Sequence, residues 1–251
     1  MLKKERLVKI AQKVNQKGII TISEIMEELN ISDMTARRDL DELEKSGKLF
    51  RVHGGAQSLS FSMDHELSHS EKSSVQIEEK KRIVHKAAQF IQEGEIIFLG
   101  PGTTMQLLAE QLCGRNIRVI TNNLAVFNIL VNHSPTEVIL TGGEYRESTN
   151  TFVGPITNSI LSKLKYTKAF ISCNGIHNGD ITTYSLDEGE SQEIALDNSK
   201  ARYLLADSKK FNRADFYIYY SLYSFDSIIT DNEIDEETLE HYKEYTQIIC
   251  V

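Results

Sequence analysis

The stretch from Thr21 to Gly55, T-I-S-E-I-M-E-E-L-N-I-S-D-M-T-A-R-R-D-L-D-E-L-E-K-S-G-K-L-F-R-V-H-G-G, limits the fold more than any other part of the chain. It reads as a short helix, a three-residue turn, a second helix and a β-ribbon. Ser23 is placed to cap the first helix by accepting from an unpaired N–H of its first turn. Glu24 follows where the helix dipole favours an anion, and Ile25 and Leu29 share one face. Asn30, Ile31 and Ser32 form the turn, with Ser32 as the next N-cap. Ala36, Leu40 and Leu43 then recur at helical spacing and predict the buried face of the second helix. Met34, Thr35 and Arg38 fall on the opposite face and Arg37 on its flank. A short exposed helix offering a hydroxyl and two guanidinium groups suits the DNA major groove, where Arg pairs bidentately with guanine.

Ser46-Gly47 ends that helix. From Leu49 to His53 apolar and basic residues alternate up to Gly54-Gly55, the pattern of a two-stranded wing. Lys48, Arg51 and His53 are then available to backbone phosphates. The bland alternative is a capped helical hairpin buried in a core, with both arginines merely solvated. Turn, caps, faces and wing agree on the sharper reading, a winged helix-turn-helix that binds double-stranded DNA.

The net charge of −8 looks wrong for a DNA binder until it is divided. Residues 1–57 carry 11 Lys+Arg against 9 Asp+Glu, and the remainder 17 against 27. A slightly basic unit thus precedes an acidic one, and two separate jobs are implied. The length suits two domains, and 40% hydrophobic content supports proper cores. No apolar run approaches the about 20 residues of a membrane span, and the basic N-terminus lacks the apolar core of a signal peptide. Cys113, Cys173 and Cys250 are odd in number and far apart. They read as buried thiols of a cytoplasmic protein, not as disulfides or zinc ligands.

Before the helix-turn-helix, residues 2–17 form a helix with Leu7, Ile10, Ala11 and Val14 on one face. Gly18 ends it, Ile19 to Thr21 is a candidate strand for the wing, and Lys3, Lys4 and Arg6 read as a solvated face. These parts make a DNA-binding domain over 1–57. Residues 58–75 read as a linker, in which His65 and His69 are ordinary polar residues and no metal site is expected. Over 76–251 strands and helices alternate. A helix at 77–92 buries Ile83, Val84, Ala87, Ala88 and Ile91. Strands are expected at 96–99, 117–120, 137–140, 169–172, 203–206, 227–230 and 247–250. Helices are expected at 103–113, 124–132, 156–164, 189–199 and 236–245. That order predicts a mainly parallel, Rossmann-like α/β sheet with helices on both faces.

Such sheets bind ligands in the loops at the carboxyl ends of their strands. Gly100-Pro101-Gly102-Thr103-Thr104 opens a helix there, and glycines before a helix N-terminus suit a phosphate. Thr121-Asn122, Gly142-Gly143-Glu144, Asn174, Asp187-Glu188 and Asp207 to Lys210 occupy other loops. Each alone is more often a turn. Several at one sheet edge favour a small phosphorylated polyol.

With those motifs in hand, the whole chain resembles the DeoR family of bacterial transcriptional regulators. The carrying residues are I-S-D-M-T-A-R-R-D-L-D-E-L (Ile31 to Leu43), R-V-H-G-G-A (Arg51 to Ala56), G-P-G-T-T, T-N, T-G-G, F-V-G-P (Phe152 to Pro155) and D-S-K-K-F (Asp207 to Phe211). The sensor domain of that family resembles ribose-phosphate isomerase and related sugar-phosphate enzymes. Within the family the chain is most similar to the lactose-system branch of Gram-positive bacteria. This resemblance implies a homo-oligomer, dimer or tetramer, on operator DNA of a lactose or galactose operon, released by a sugar phosphate such as tagatose 6-phosphate. Two departures bear on sugar specificity: Cys173 stands where many members have Ser or Ala, and Gly189 where Ala is commoner.

The roles expected are therefore as follows. Ser32, Met34, Thr35, Arg37 and Arg38 meet the groove, and Lys48, Arg51 and His53 its flanks. Gly100, Pro101, Gly102, Thr103 and Thr104 cradle a phosphate, with Lys210 supplying charge. Thr121, Asn122, Gly142, Gly143, Glu144, Asn174, Asp187, Glu188 and Asp207 surround the sugar. No cofactor, metal or catalytic residue is expected. Two rivals are a sugar-phosphate isomerase with a DNA-binding arm, using Glu188 or Asp187 as base, and an activator or nucleoid-type binder with a vestigial second domain.

Overall fold

The computed structural model describes residues 3–17, 19–52, 54–58, 73 and 75–251. Gly18, His53, His65 and His69, and nearly all of the 58–75 segment, lie outside the described residues. Two compact units result, Met1–Glu66 and Leu67–Val251.

In the first unit helix α1 (Lys3–Lys17) leads through β1 (Ile19–Thr21) into α2 (Ile22–Leu29) and α3 (Asp33–Lys45), followed by β2 (Phe50–Val52) and β3 (Gly55–Gln57). The three strands form one antiparallel sheet in the order β1-β3-β2, so the strand before the helices does pair with the wing. Ile10, Val14, Ile25, Ala36, Leu40 and Leu43 are buried together, as the spacing predicts. The cap of α2 differs from expectation. Thr21, not Ser23, is the N-cap: its side chain accepts from Glu24 N–H, while the Glu24 carboxylate accepts from Thr21 N–H at 2.7 Å. This reciprocal box satisfies two orphan donors at once, which Ser23, already inside the helix, could not do. Arg6 also departs from its reading as a solvated residue. It forms a part-buried ion pair with Asp39 of α3, whose side chain is almost fully enclosed. The pair pushes the Arg6 pKa up through its hydrogen bond to the carboxylate.

The second unit is built on a seven-stranded, wholly parallel sheet. Its strands are β4 (Ile96–Leu99), β5 (Arg118–Thr121), β6 (Glu137–Leu140), β9 (Tyr166–Ile171), β12 (Ser199–Leu205), β14 (Ser227–Thr230) and β15 (Ile248–Cys250). Spatial order is β15-β14-β12-β9-β4-β5-β6. Alternate residues of each strand face opposite layers: Ile97 and Leu99 pack with Ile83, Val84, Met105 and Val126, whereas Phe98 packs with Leu161, Ala195 and Leu204. Helices α4 (Ile77–Ala88), α5 (Thr103–Leu112) and α6 (Leu124–Leu130) thus cover one face, and α7 (Gly154–Leu161) and α8 (Leu186–Asp197) the other. The last helix, α9 (Glu236–Lys243), contributes Tyr242 to that second layer.

Two smaller antiparallel sheets accompany the main one, and neither was expected. One pairs β7 (Glu144–Arg146) with β8 (Thr151–Val153). The other runs β10 (Gly175–His177), β11 (Asp180–Thr183), β13 (Tyr217–Ser221), with a bulge between Ile181 and Thr182. The chain leaves β4 toward β5 and β6, then returns to lay β9 on β4's other side. The order of strands therefore reverses between β4 and β9, where an open α/β sheet leaves a crevice.

Candidate effector cavity and DNA-reading helix

That crevice holds a cavity of about 150 Å³. Three loops at carboxyl ends of strands build it: Pro101 to Thr104 after β4, Ser172 to Asn174 after β9, and Asp207 to Lys210 after β12. Gly102 adopts φ +113°, a conformation that disfavours any side chain, and sits as N-cap of α5 with no side-chain cap. The first turn of α5, with Thr103 and Thr104 in the lining, therefore turns its positive dipole end to the cavity. Thr103 and Thr104 are both buried there. Positive charge gathers around them in Lys80, Lys209, Lys210 and Arg213. Lys80 is buried and its Nζ donates to Thr103 Oγ1 at 3.2 Å. Asp207 holds its own loop by accepting from Lys209 N–H.

Glu188 and Gln192 reach the cavity from α8. The Glu188 carboxylate accepts a hydrogen bond from the Thr149 hydroxyl and pairs with Arg146 at 3.4 Å, tying the β7–β8 hairpin to α8. Asn174 donates to Asp215 at 2.7 Å. Cys173 lies in the lining too, and burial pushes its thiol up to about 12 although Lys210 pulls the other way.

A DeoR C-terminal sensor domain matches residues 75–232, and a DeoR-like helix-turn-helix domain matches residues 6–61. The chain belongs to the DeoR family. Among curated DeoR-type relatives, the lactose phosphotransferase system repressor of Lactococcus lactis subsp. lactis is 48% identical over 252 residues, 99% of each chain. The protein of the same name in Streptococcus mutans is 46% identical over 99% of this chain and 100% of its own. A solved ribose 5-phosphate isomerase A from Methanocaldococcus jannaschii covers 53% of both chains at 14% identity and a TM-score of 0.39. A likeness that loose carries nothing about chemistry.

Of the positions expected to surround an effector in this DeoR chain, Pro101, Gly102, Thr103, Thr104, Asn174, Glu188, Asp207 and Lys210 come together. Gly100 lies just behind them against Ile171. Thr121, Asn122, Gly142, Gly143, Glu144 and Asp187 are outside the lining, and the structure gives most of them other work. Thr121 is buried, donating to Leu99 O and accepting from Asn123 N–H. Asn122 donates to Phe152 O, stitching the end of β5 to β8. A Cβ on Gly143 would meet Thr157 Oγ1 at 2.1 Å, so this glycine permits the loop to pack on α7. The Glu144 carboxylate rests against Gly154 at the start of α7, where a helix dipole favours an anion. Asp187 is exposed in the first turn of α8.

The lining also includes Lys80, Thr149, Cys173 and Gln192, which sequence reasoning did not assign to it. Two of them carried a signal. Lys80 lies three, four and seven residues before Ile83, Val84 and Ala87, a charge on a buried helical stripe. Gln192 stands likewise before Ala195 and Leu196. Thr149 gave none, since only the folded hairpin brings it to Glu188.

In the helix-turn-helix, Ser32 caps α3, accepting from Thr35 N–H at 3.3 Å, and the two hydroxyls lie 2.9 Å apart. Met34 is 79% exposed and Arg38 is exposed as well. Arg37 is held by Asp33 one turn earlier at 2.5 Å, which lowers the Asp33 pKa through that hydrogen bond. Lys48 is exposed. Arg51 instead folds back on α3: its Nε is 3.6 Å from Asp41, and its N–H donates to Glu44.

Proposed function

We propose that this chain is a DNA-binding transcriptional repressor of a sugar-catabolic operon, released from its operator by a phosphorylated sugar. The single observation that carries the sensing half is the α5 N-terminus, entered through Gly102, set beside Lys80 and Lys210 in one cavity at the sheet's switch point. The DNA half rests on α3, where Thr35 and Arg38 face outward from the buried stripe, Ser32 and Met34 flank them, and Arg37 is steadied by Asp33. Arg38 is the base reader in this proposal. Lys48 meets a flanking phosphate, as does Arg51 once it exchanges Asp41 for the backbone, and His53 is proposed for the same role. The names of the relatives favour a lactose-system operon; tagatose 6-phosphate as effector, a galactose-linked pathway and a cytoplasmic location belong to the same proposal.

Gly102, Thr103 and Thr104 hold the phosphate in this scheme, aided by Lys210, and Asn174, Glu188 and Asp207 lie toward the sugar. Release follows by linkage: a ligand that prefers one conformation of a homo-oligomer disfavours the other, in which two DNA-binding units match the operator. An isomerase role is disfavoured because Glu188, the best-placed base, is already hydrogen-bonded to Thr149 and paired with Arg146.

The test is fluorescence anisotropy on DNA from upstream of the neighbouring operon, with and without tagatose 6-phosphate, at fixed salt because salt alone shifts such affinities strongly. Release by the ligand supports the proposal whole. Binding that ignores every sugar phosphate overturns the sensing half, and turnover of a sugar phosphate lost in Glu188→Gln overturns the non-enzymatic reading.

A further inference from the structure

Glu188 and Gln192 enter the cavity one helical turn apart, but they differ in what they already hold. Gln192 is 2% exposed, and its Nε2 donates to the Glu188 backbone carbonyl at 3.4 Å. Its Oε1 is buried with no hydrogen-bond partner among the described residues. Turning the amide over does not repair this, because a carbonyl accepts only from a donor and the swap would set two oxygens against each other. The orphan is therefore the oxygen, and its place is fixed: it lies 3.6 Å from where a Cβ on Gly100 would stand, behind the phosphate-facing loop. Buried acceptors without partners are rare in native proteins. Of the five buried side-chain polar atoms left without a partner among the described residues, this is the one whose residue lines the cavity.

We propose that Gln192 Oε1 accepts a hydrogen bond from a hydroxyl of the sugar and thereby sets which polyol phosphates the cavity admits. The inference rests on the sugar-phosphate reading of the same cavity. A neutral hydroxyl fits better than an ammonium donor, which Lys80, Lys210 and Arg213 would repel. An apolar ligand would leave the acceptor stranded. A site that matches a hydroxyl in this way rejects analogues that lack it, or carry it in the other configuration, far more strongly than apolar packing does.

The experiment is calorimetric titration of the full-length protein with tagatose 6-phosphate, its C4 epimer fructose 6-phosphate, and inorganic phosphate. Wild type is compared with Gln192→Met and Gln192→Leu, which remove the acceptor with little change in volume. The expected result is a loss of about tenfold or more for the tighter sugar phosphate, with inorganic phosphate held within about twofold. Retained phosphate affinity and operator binding then report an intact cavity in at least one variant. Equal losses for all three ligands would mean a damaged site, and unchanged sugar-phosphate affinity would assign the acceptor to an ordered water; either overturns the proposal. Wild-type protein that binds none of the three would overturn the sugar-phosphate reading itself, a failure distinct from both.

Discussion

Replacing Asp39 by Asn tests whether the recognition helix is held in place by a buried charge. Asp39 is 1% exposed and meets Arg6 through two hydrogen bonds, one of them at 3.0 Å from Nη2 to Oδ1. Breaking a fully buried pair costs about 3–5 kcal/mol, because the surviving charge is left unmatched. The Arg6 side chain keeps 16% of its surface, so solvent screens part of that loss and about 2–3 kcal/mol is expected. A core as small as the ten residues around Ile25 and Leu40 supplies a net stability on the order of 3–5 kcal/mol. Most of the margin of this unit is then gone. Hydrogen exchange followed by mass spectrometry reads the effect directly in the full chain, since exchange in stable helices tracks the opening free energy. Amides in α1 and α3 should exchange roughly 30- to 150-fold faster in D39N, at 1.4 kcal/mol per factor of ten. The double variant Arg6→Met with Asp39→Leu should recover much of the protection, since apolar replacement of a buried pair is often neutral. Unchanged exchange in D39N, together with weakened operator binding in Arg6→Met, would refute the structural role and assign Arg6 to DNA contact instead.

Gly189→Ala should destabilise the sensor unit by about 1–2 kcal/mol in urea melts, because overpacking outweighs the gain in helix propensity. The added Cβ would lie 2.7 Å from the Tyr217 ring and 2.9 Å from Tyr219 Cβ, and trimming Tyr217 to Leu should restore much of the loss. Asp235 caps α9 by accepting from Thr238 N–H at 2.9 Å, and that bond lowers its pKa. A lowered carboxylate stabilises above its ordinary value of 3.8 and loses that contribution as pH falls through the native value. Asp235→Ala should therefore cost about 1 kcal/mol at neutral pH, and the gap to wild type should close in acid melts. Cys173, buried and shifted to about 12, should resist iodoacetamide at pH 8 in the native protein and react on adding urea; rapid native alkylation mapped by mass spectrometry would contradict its burial.

Much of the fold is legible in the sequence because several main strands are uninterrupted apolar runs such as Ile96 to Leu99 and Tyr203 to Ala206, and buried parallel strands take that form. The antiparallel sheets are not. Their strands are three to five residues long, and β11 reaches β13 across α8 and β12 with a bulge in the register, so their pairing is decided by tertiary contacts. Cap assignment failed by two residues at Thr21 because Thr and Ser both fit the pattern, and only Glu24 reaching back to Thr21 N–H selects between them. In the site, the loops at Gly102 and Asp207 were read by their glycine, hydroxyl and charge. Thr121, Asn122 and Gly143 share that composition, yet they close turns and packing contacts, which use the same chemistry. Lys80 and Gln192 stand out in the sequence as a charge and an amide on otherwise apolar helical stripes, a signal of burial that names no ligand. Gly189 now has a physical account: the Tyr217 ring fills the space that an alanine methyl would otherwise occupy.

The cavity's lining runs from Val75 to Arg213 and draws on α4, three strand-end loops, the β7–β8 turn, β11 and α8. A molecule seated there acts as a non-covalent rivet through parts that are distant in the chain. Its grip would stabilise the whole sensor unit by a free energy that rises with the logarithm of its concentration above Kd. Protease digestion with and without the ligand would therefore report occupancy even where no segment visibly moves. Because the phosphate-facing loop and the Gln192 position sit on different elements, exchanging one side chain on α8 could retune the preferred sugar while the anion grip and the sheet stay as they are.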